Sequence, residues 1–486
     1  MNPPHPVDSH TQTEYYRALA AKDGRFDGVF FAGILTTGIY CRPICRVKTP
    51  RPSSCVFFSS QAAAEAAGFR PCLRCRPELA PYDLQQNLAH AIWHRIAAGA
   101  LNEQGVEQFA QAVGMSSRQL RRVMLQEFGV TPIEAAQTQR LLFAKKLIQE
   151  TQLAMTEIAF AAGFGSVRRF NALFEARYHM TPASIRRVAH APGEGITLRL
   201  AYRPPYAWGA MLHYLHGRAM AGLEYVDLEQ ELVCRSVRIG AQSGWLSVQH
   251  EPDKQQLILH VAPNLSGHLQ FLLARVREMF DLEANPSIIA GHLLHEPVLA
   301  RQLERTPGLR VPGAFEPFEL AIRAILGQQV SVAGASTVAG RLVQKFGSPT
   351  TTPWPQVSHH FPSVALLASL PIEELASIGI PKSRAATIKS FAQFVADGGL
   401  VRSPACSLDE FVAKLKRLPG IGEWTAQYIA MRAMRFSNAF PAGDLGLQKA
   451  ISAHTQTPCK EKQLFAQSQA WSPWRSYAAL LLWRTL

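Results

Sequence analysis

The chain has 486 residues, which is too long for one ordinary hydrophobic core and predicts about three or four domains. Its formal net charge of +14 and pI near 9.6 favour a polyanionic partner, because a cationic surface gains binding free energy when phosphates release their counterions. The sequence has neither a run of roughly 18 apolar residues nor a secretory signal, which excludes a membrane partner and predicts a protein of the bacterial cytosol or nucleoid.

Four of the eight cysteines form two close pairs near the N-terminus, Cys41 with Cys45 and Cys72 with Cys75. Two thiol pairs separated by a connector of this length are typical of small tetrahedral zinc sites. The spacing alone therefore favours a structural site that holds one Zn²⁺. The remaining cysteines are scattered, and we expect them to be buried or inert thiols in a reducing compartment.

The sequence around these pairs, TTGIYCRPICR at 36–46 and AAGFRPCLRCRP at 66–77, resembles the methylphosphotriester-acceptor domain of Ada-type alkylation-response proteins. The resemblance implies that Cys41 is both a zinc ligand and the acceptor of a methyl group from a DNA phosphotriester. Zinc would keep the thiols as thiolates, and methylation of Cys41 would remove one negative charge that repels DNA phosphates. The candidate phosphate contacts in this domain are Thr37, Lys48, Arg70 and Arg74.

From about residue 84 to residue 190 the pattern is helical and contains two similar units, at 106–132 and 155–182. Each unit has a short helix, a Gly turn, a basic helix and a Thr-Pro stop. This repeat resembles the AraC-type DNA-binding domain, in which two helix-turn-helix units on one linker helix read adjacent segments of the major groove. It implies DNA and RNA polymerase as partners. The polar residues expected to face bases or phosphates are Ser117, Arg118, Arg121, Arg122, Ser166, Arg168, Arg169 and Asn171.

A Pro/Gly-rich linker at 190–195 precedes a region with the alternation of β-strands. The phrases YRPPYAW and MFDLEANPSIIAGHL in this region resemble the N-terminal α+β domain of 3-methyladenine DNA glycosylase II. No spacing here indicates chemistry, so we expect the domain to pack against the one that follows. Strands are predicted at 196–201, 232–239, 245–250 and 256–261, and helices at 206–218 and 269–280.

The stretch at 418–447, LPGIGEWTAQYIAMRAMRFSNAFPAGDLGL, predicts a helix, a tight turn with Gly420 and Gly422, and a second helix from Glu423. The turn leaves backbone N–H groups bare at the positive end of a helix dipole, where they can hold a phosphate without reading a base. Such a hairpin is expected to bind a nucleic-acid backbone independently of the base sequence.

Two features make this hairpin a candidate active site. Trp424 and Tyr428 share one face of the second helix, and Asp444 stands alone after a Pro-Ala-Gly turn, at the start of the next helix. Aromatic walls and one carboxylate suit a flipped, electron-poor base. Singly, the aromatics would be interpreted as core and Asp444 as a helix cap, but their combination with the hairpin favours a site.

The stretch resembles the helix-hairpin-helix base-excision superfamily, and within it the 3-methyladenine DNA glycosylase II (AlkA-like) branch, as do RAILGQQVSV at 323–332 and WSPWRSYAALLLW at 471–483. The resemblance implies that Asp444 is the catalytic carboxylate. It places Trp424, Tyr428 and Trp483 in the base pocket, and Gly420, Gly422 and Thr425 on the DNA backbone.

Two positions depart from patterns of that superfamily. Trp424 stands where glycosylase/lyases carry a nucleophilic Lys, so we expect water to be the acceptor. Gln329 stands where the similar glycosylases have an apolar residue that fills the gap left by the flipped base. Gln329 is therefore a candidate DNA contact, and whether its side chain intercalates stays open.

The sequence thus predicts a multidomain, mainly α protein: a small α/β zinc domain at 10–80, an all-α double helix-turn-helix domain at 84–190, a small α+β domain at 196–290 and an all-α helix-hairpin-helix domain at 291–486. The expected function is that of a monomeric transcription activator, switched by methylation of Cys41, joined to a glycosylase for alkylated purines such as 3-methyladenine. Two alternatives stay open: a regulator with an inactive glycosylase half, and a repair glycosylase with a purely structural zinc arm.

Overall fold

The computed structural model describes residues 9–80, 88–186, 195–400 and 406–485. The predicted linker at 190–195 lies outside these ranges except for its last residue. None of the helices in the described ranges combines the length and the apolarity needed to cross a bilayer.

The N-terminal domain is a small sheet flanked by helices. Its elements are α1 (Ser9–Ala21), β1 (Phe31–Ile34), β2 (Ile39–Cys41), β3 (Cys55–Phe58), α2 (Gln61–Ala66) and β4 (Arg70–Pro71). The four strands lie in the order β3-β1-β2-β4, with β1 antiparallel to both neighbours and β4 parallel to β2. Because β2 and β4 are neighbours, the cysteines that follow them lie close together.

Both predicted helix-turn-helix units are confirmed. The elements of this domain are α3 (Leu88–Ala97), α4 (Ala100–Glu103), α5 (Val106–Ala112), α6 (Ser117–Phe128), α7 (Pro132–Glu150), α8 (Met155–Ala161) and α9 (Val167–Tyr178). The α5–α6 unit turns at Gly114 and the α8–α9 unit at Gly163, both with positive φ. Ser116 and Ser166 cap the two basic helices, and α7 links the units.

The third domain is an antiparallel sheet with two helices packed on it. Its elements are β5 (Ile196–Ala201), α10 (Trp208–His216), β6 (Glu224–Asp227), β7 (Leu232–Ile239), β8 (Gln242–Glu251), β9 (Gln256–Val261) and α11 (Leu269–Met279). The strand order is β5-β9-β8-β7-β6. The predicted strands and helices are present, and β6 is an additional edge strand. Its sequence, EYVD, was not recognised because only Val226 of it is buried.

The C-terminal domain is helical, as predicted. Its elements are α12 (Pro286–Leu293), α13 (Pro297–Arg305), α14 (Pro317–Leu326), α15 (Val332–Phe346), α16 (Val364–Ser369), α17 (Ile372–Ala376), α18 (Lys382–Ala396), α19 (Leu408–Lys416), α20 (Glu423–Arg432), α21 (Leu445–Thr455), α22 (Glu461–Ser468) and α23 (Arg475–Trp483). The predicted hairpin is α19–turn–α20. Gly420 has a φ of +83°, and a Cβ there would collide with the Thr387 hydroxyl, so only glycine fits this turn.

The regulatory and glycosylase-like halves share buried contacts. One apolar cluster contains Phe170 and Phe174 of α9 together with Leu257 of β9 and Leu272 of α11. At the same junction the Glu150 carboxylate, 1% exposed, accepts hydrogen bonds from Arg76 Nη2 (2.6 Å), Lys146 Nζ (2.9 Å) and the backbone N–H of Arg199 (2.9 Å). Glu150 therefore ties together the zinc domain, the linker helix α7 and strand β5.

Glu150→Ala should destabilise this junction by about 3–5 kcal/mol, because it leaves the buried Lys146 cation without its carboxylate partner and leaves Arg76 with Glu78 alone. Urea denaturation should show the loss as a lower midpoint. The matched control is Glu373→Ala, which breaks an ion pair with Lys382 whose side chains are 71% and 70% exposed, and it should leave the midpoint unchanged. Equal shifts for the two variants would contradict the assignment of Glu150 as the junction.

Candidate active site and zinc centre

Asp444 is the N-cap of α21 and is held by three N–H donors. Its Oδ1 accepts from the backbone N–H of Leu447 (3.0 Å) and from Trp483 Nε1 (2.9 Å), and its Oδ2 accepts from Trp424 Nε1 (2.9 Å). A carboxylate offers about four acceptor positions, so this arrangement fixes its orientation and leaves room for one further donor. The sequence predicted the aromatic residues and the acid, but it did not indicate that the indoles bind the acid.

The predicted base-pocket aromatics lie around that carboxylate. Trp424 and Tyr428 stack on α20 with ring centroids 5.2 Å apart and planes at 11°, while Trp483 of α23 lies 6.3 Å from Tyr428 at 57°. The Trp424 and Tyr428 rings are already in contact with each other. The three rings therefore form one aromatic cluster beside the Asp444 carboxylate.

The α+β domain, which the sequence predicted to pack against the domain that follows, places a side chain of α10 beside Tyr428. The Tyr214 hydroxyl, from α10, lies 3.2 Å from the Tyr428 hydroxyl, to which Arg432 Nη1 also donates at 2.8 Å. Arg218, just beyond α10, stacks its guanidinium 3.7 Å from the centroid of the Tyr214 ring. Residues 214 and 428 are brought together by tertiary packing alone, so no sequence spacing could have linked them.

The charges around Tyr428 shift its acidity. Burial by itself would raise the pKa of Tyr428, but the guanidinium groups of Arg432, Arg218 and Arg323 outweigh it and lower that pKa to about 7. Burial dominates for the neighbouring phenol and raises the pKa of Tyr214 to about 12. The two phenols thus differ in acidity although their oxygens are in contact.

The hairpin glycines and Thr425 differ in their exposure. Gly420 and Gly422 are exposed, and Gly422 is the N-cap of α20. Thr425 is only 3% exposed, and its hydroxyl accepts a hydrogen bond from Gln328 Nε2 at 3.0 Å. The Thr425 side chain therefore faces the inside of the hairpin, and the contact of this position with DNA stays a prediction.

Gln328 and Gln329 form the tip of the loop between α14 and α15. Gln329 is exposed with a φ of +57°, so the chain bends outward there. Gln328 turns inward, and its Nε2 also donates to Gly420 O (2.8 Å), while Arg384 Nη2 donates to Gln328 O (2.6 Å). Gln328, which the sequence analysis missed, thus fastens the loop to the hairpin and holds Gln329 outward.

Gln328→Leu should weaken binding to duplex DNA that contains an abasic site by roughly tenfold, because two hydrogen bonds of about 0.5–1.5 kcal/mol each hold the loop and the hairpin in register. Fluorescence anisotropy measures this affinity. Gln393→Leu, on the exposed face of α18, is the matched control and should bind as the parent protein does. Unchanged affinity of Gln328→Leu would exclude this positioning role.

The four predicted ligand cysteines converge in the N-terminal domain. The Sγ atoms of Cys41, Cys45, Cys72 and Cys75 all lie within 4.8 Å of one another. Backbone N–H groups support two of the sulfurs, since Arg42 N lies 3.3 Å from Cys75 Sγ and Arg74 N lies 3.4 Å from Cys72 Sγ. Four thiol donors at these separations fit one tetrahedral Zn²⁺ with Zn–S bonds of about 2.3 Å.

Cys45→Ser should lower the zinc content of the purified protein from about one equivalent towards zero, because three thiolates and a hydroxyl bind Zn²⁺ far more weakly than four thiolates. Elemental analysis measures the ratio of metal to protein. Cys459→Ser, at a thiol outside the cluster, should retain the metal. Full zinc occupancy in Cys45→Ser would remove Cys45 from the ligand set.

Most of the other predicted DNA contacts lie on the surface. Thr37, Lys48 and Arg74 are exposed in the zinc domain, and Arg70 is half-buried. On the basic helices Arg118, Arg121, Arg122, Arg168, Arg169 and Asn171 are exposed. The hydroxyls of Ser117 and Ser166 have local partners: Ser117 donates to Glu107 at 2.9 Å and Ser166 accepts from the N–H of Arg169.

Four family profiles match the chain in this order: the metal-binding domain of Ada at 14–78, a helix-turn-helix domain at 109–188, the AlkA N-terminal domain at 197–316, and the HhH-GPD superfamily of base excision DNA repair proteins at 322–476. Together with the thiol cluster and the hairpin site, they define a protein that joins an Ada-like regulator to a base-excision glycosylase. The predicted domain limits, which differ from these ranges, stay predictions.

The relatives of the chain extend this assignment over its whole length. It is 37% identical over 482 residues, 97% of this chain and 96% of the relative, to the "Probable bifunctional transcriptional activator/DNA repair enzyme AlkA" of Mycobacterium tuberculosis. The chain belongs to this family of bifunctional AlkA proteins. Its C-terminal 59% is 33% identical to 96% of DNA-3-methyladenine glycosylase 2 of Escherichia coli. A 3-methyladenine DNA-glycosylase structure from Archaeoglobus fulgidus shares the fold over 59% of this chain and 96% of its own, with a TM-score of 0.50 and 18% identity.

Proposed function

We propose that this protein hydrolyses the N-glycosidic bond of alkylated purines such as 3-methyladenine, and that it takes a methyl group from a DNA phosphotriester onto Cys41, which turns it into a transcription activator. The glycosylase proposal rests above all on Asp444, which the indoles of Trp424 and Trp483 hold at the mouth of the aromatic pocket. The name of the Escherichia coli relative supports the choice of 3-methyladenine.

The glycosylase step needs charge stabilisation more than proton donation. Methylation at N3 or N7 makes the purine cationic, so the C1′–N bond breaks with its electron pair going to the base, which leaves uncharged. Positive charge then develops on the sugar, where the Asp444 carboxylate stabilises it electrostatically. A water oxygen forms the new bond to C1′, and the proton that it loses passes to Asp444 or to solvent. The free acceptor position on Asp444 suits the orientation of that water.

Water is the proposed acceptor because position 424 holds a tryptophan and not a lysine. Position 424, where the lyases of the superfamily carry their nucleophile, is occupied by an indole that donates to Asp444. Trp424 thus replaces a Schiff-base nucleophile by a group that orients the carboxylate. This supports a monofunctional glycosylase.

In the N-terminal domain the thiolate of Cys41 would attack the methyl carbon of the phosphotriester. The S–C bond forms, the C–O bond breaks, and the phosphodiester leaves with its negative charge, so no proton has to move. Bound zinc would keep the four thiols deprotonated. Cys41 is 4% exposed, so the transfer requires DNA to press against the surface that carries Thr37, Lys48 and Arg74.

The exposed arginines of α6 and α9 are the proposed promoter contacts, with Arg118 and Arg121 in one groove segment and Arg168 and Arg169 in the next. RNA polymerase is the proposed protein partner. The protein is proposed to act as a monomer. Its proposed location is the bacterial cytosol, where its DNA substrate lies.

One incubation with alkylated duplex DNA tests both activities: chromatography of the released base and peptide mass spectrometry of the methylated thiol. Asp444→Asn should keep DNA binding but slow base release by about 10²–10³-fold, because it removes the charge that stabilises the sugar while asparagine still caps α21. Cys41→Ser should release base normally and carry no methyl group. Each variant is thus the control for the other.

The other results each support one alternative. Base release with Cys41 unmodified would make the zinc domain a structural arm, and a methyl group on the more exposed Cys75 would reassign the acceptor. Methyl transfer without base release would make the C-terminal half a binding module. Full activity of Asp444→Asn would remove Asp444 from the mechanism.

A further inference from the structure

Three guanidinium groups lie beside the base pocket without a salt bridge to any carboxylate in the described residues. Arg432, 3% exposed, donates to the Tyr428 hydroxyl and, through Nε, to Pro312 O at 2.7 Å. Arg323, 8% exposed, donates to Arg218 O at 3.0 Å and to Ser336 Oγ at 2.9 Å. Arg218 donates to Tyr214 O at 3.4 Å. Every acceptor of this cluster is therefore formally neutral.

Such a cluster is unusual for two reasons. Buried charges are normally paired, and Arg432 and Arg323 are buried with only neutral hydrogen-bond acceptors, so they favour an anion nearby. The Glu224 carboxylate acts on Arg432 from beyond hydrogen-bond distance. The pocket also has to receive a base that alkylation has made cationic, and three neighbouring positive charges would repel it. Asp444 accepts hydrogen bonds from the two indoles and from Leu447 N–H, and it forms no ion pair with these three guanidinium groups in the described residues.

The phenol oxygen of Tyr428 is the group placed to be that anion. It receives the Arg432 hydrogen bond and lies against the Tyr214 hydroxyl, so two donors can converge on it. The charged or titratable groups that face it are Tyr214 and Arg218 from the α10 region, Arg323 from α14 and Arg432 from α20. From α23 it meets only the uncharged indole of Trp483.

We propose that Tyr428 acts as a phenolate that neutralises this arginine cluster and makes the base pocket selective for cationic purines over uncharged damaged bases. The inference deepens the glycosylase function proposed above and rests on it. A cationic purine bound beside Tyr428 would meet a negatively charged ring, which strengthens the cation–π attraction. An uncharged base such as hypoxanthine would gain nothing from that charge.

The lowered pKa of Tyr428, about 7, agrees with this assignment and sets its pH dependence. A lowered pKa means that the phenolate is present above about pH 7 and is protonated below it. Release of a cationic base should therefore rise as the pH passes upward through neutrality, whereas release of hypoxanthine should not follow this titration. The rate ratio between 7-methylguanine and hypoxanthine isolates the effect from general changes in activity.

The phenolate can be observed directly by its ultraviolet difference absorbance in the full-length protein. The chain has 11 tyrosines, and one should ionise near neutral pH in the parent protein. That signal should be absent in Tyr428→Phe and should move to higher pH in Tyr214→Phe, which removes one donor to the phenolate oxygen. Tyr225→Phe, on the β6 edge strand, is the control and should keep the signal.

The second experiment measures the release rates of 7-methylguanine and hypoxanthine by the same proteins. Between about pH 6 and pH 8 the 7-methylguanine to hypoxanthine ratio should rise roughly tenfold in the parent, because the ionised fraction rises from about one tenth to about nine tenths. The ratio should be flat in Tyr428→Phe. The proposal would be overturned if no tyrosine ionised near neutral pH. It would also be overturned if the ratio depended equally on pH in Tyr428→Phe and in the parent protein. The absorbance titration needs no substrate, so it tests the phenolate independently of catalysis. A protein that released no base would contradict the proposed glycosylase function, while the titration would still show whether Tyr428 ionises.

Discussion

The junction between the regulator and the glycosylase-like half is built around the buried carboxylate of Glu150. A charge that is 1% exposed persists only when it is paired and hydrogen-bonded, and here the partners come from three different domains: Arg76, Lys146 and the N–H of Arg199. Arg76 directly follows Cys75, so the thiol cluster lies one residue from this network. The regulator and the glycosylase are consequently packed against each other and not merely joined by a linker.

The α+β domain is the element in contact with both chemical sites. Towards the zinc domain, Arg203 donates to Asp27 O at 2.8 Å, and Asp27 in turn pairs with Arg42, the neighbour of Cys41. Towards the glycosylase pocket, the same domain contributes Tyr214, whose hydroxyl contacts Tyr428. The domain that the sequence predicted to have a packing role is therefore in contact with both halves.

The active site resembles the junction in one respect: the hydrogen-bond partners of its polar groups come from segments that are distant in sequence. Asp444 is oriented by indoles 20 and 39 residues away in sequence, and the loop tip at Gln328 is fastened to a hairpin more than 90 residues further on. These contacts set the carboxylate, the aromatic wall and the exposed Gln329 in one arrangement. The chemistry of base release depends on their mutual position more than on any one of them.

Four local features were predictable without a structure: the paired cysteines, the repeated helix-turn-helix units, the glycine hairpin and the lone Asp444. Helical periodicity, caps, turns and short ligand spacings depend on neighbours in the chain, so they can be recognised without a structure. Only the tertiary structure decided that Thr425 faces inward, that Tyr214 reaches the base pocket, and that Glu150 joins three domains. These contacts join residues up to 214 positions apart, and only the packing of distant faces, not the chemistry of neighbouring residues, selects them.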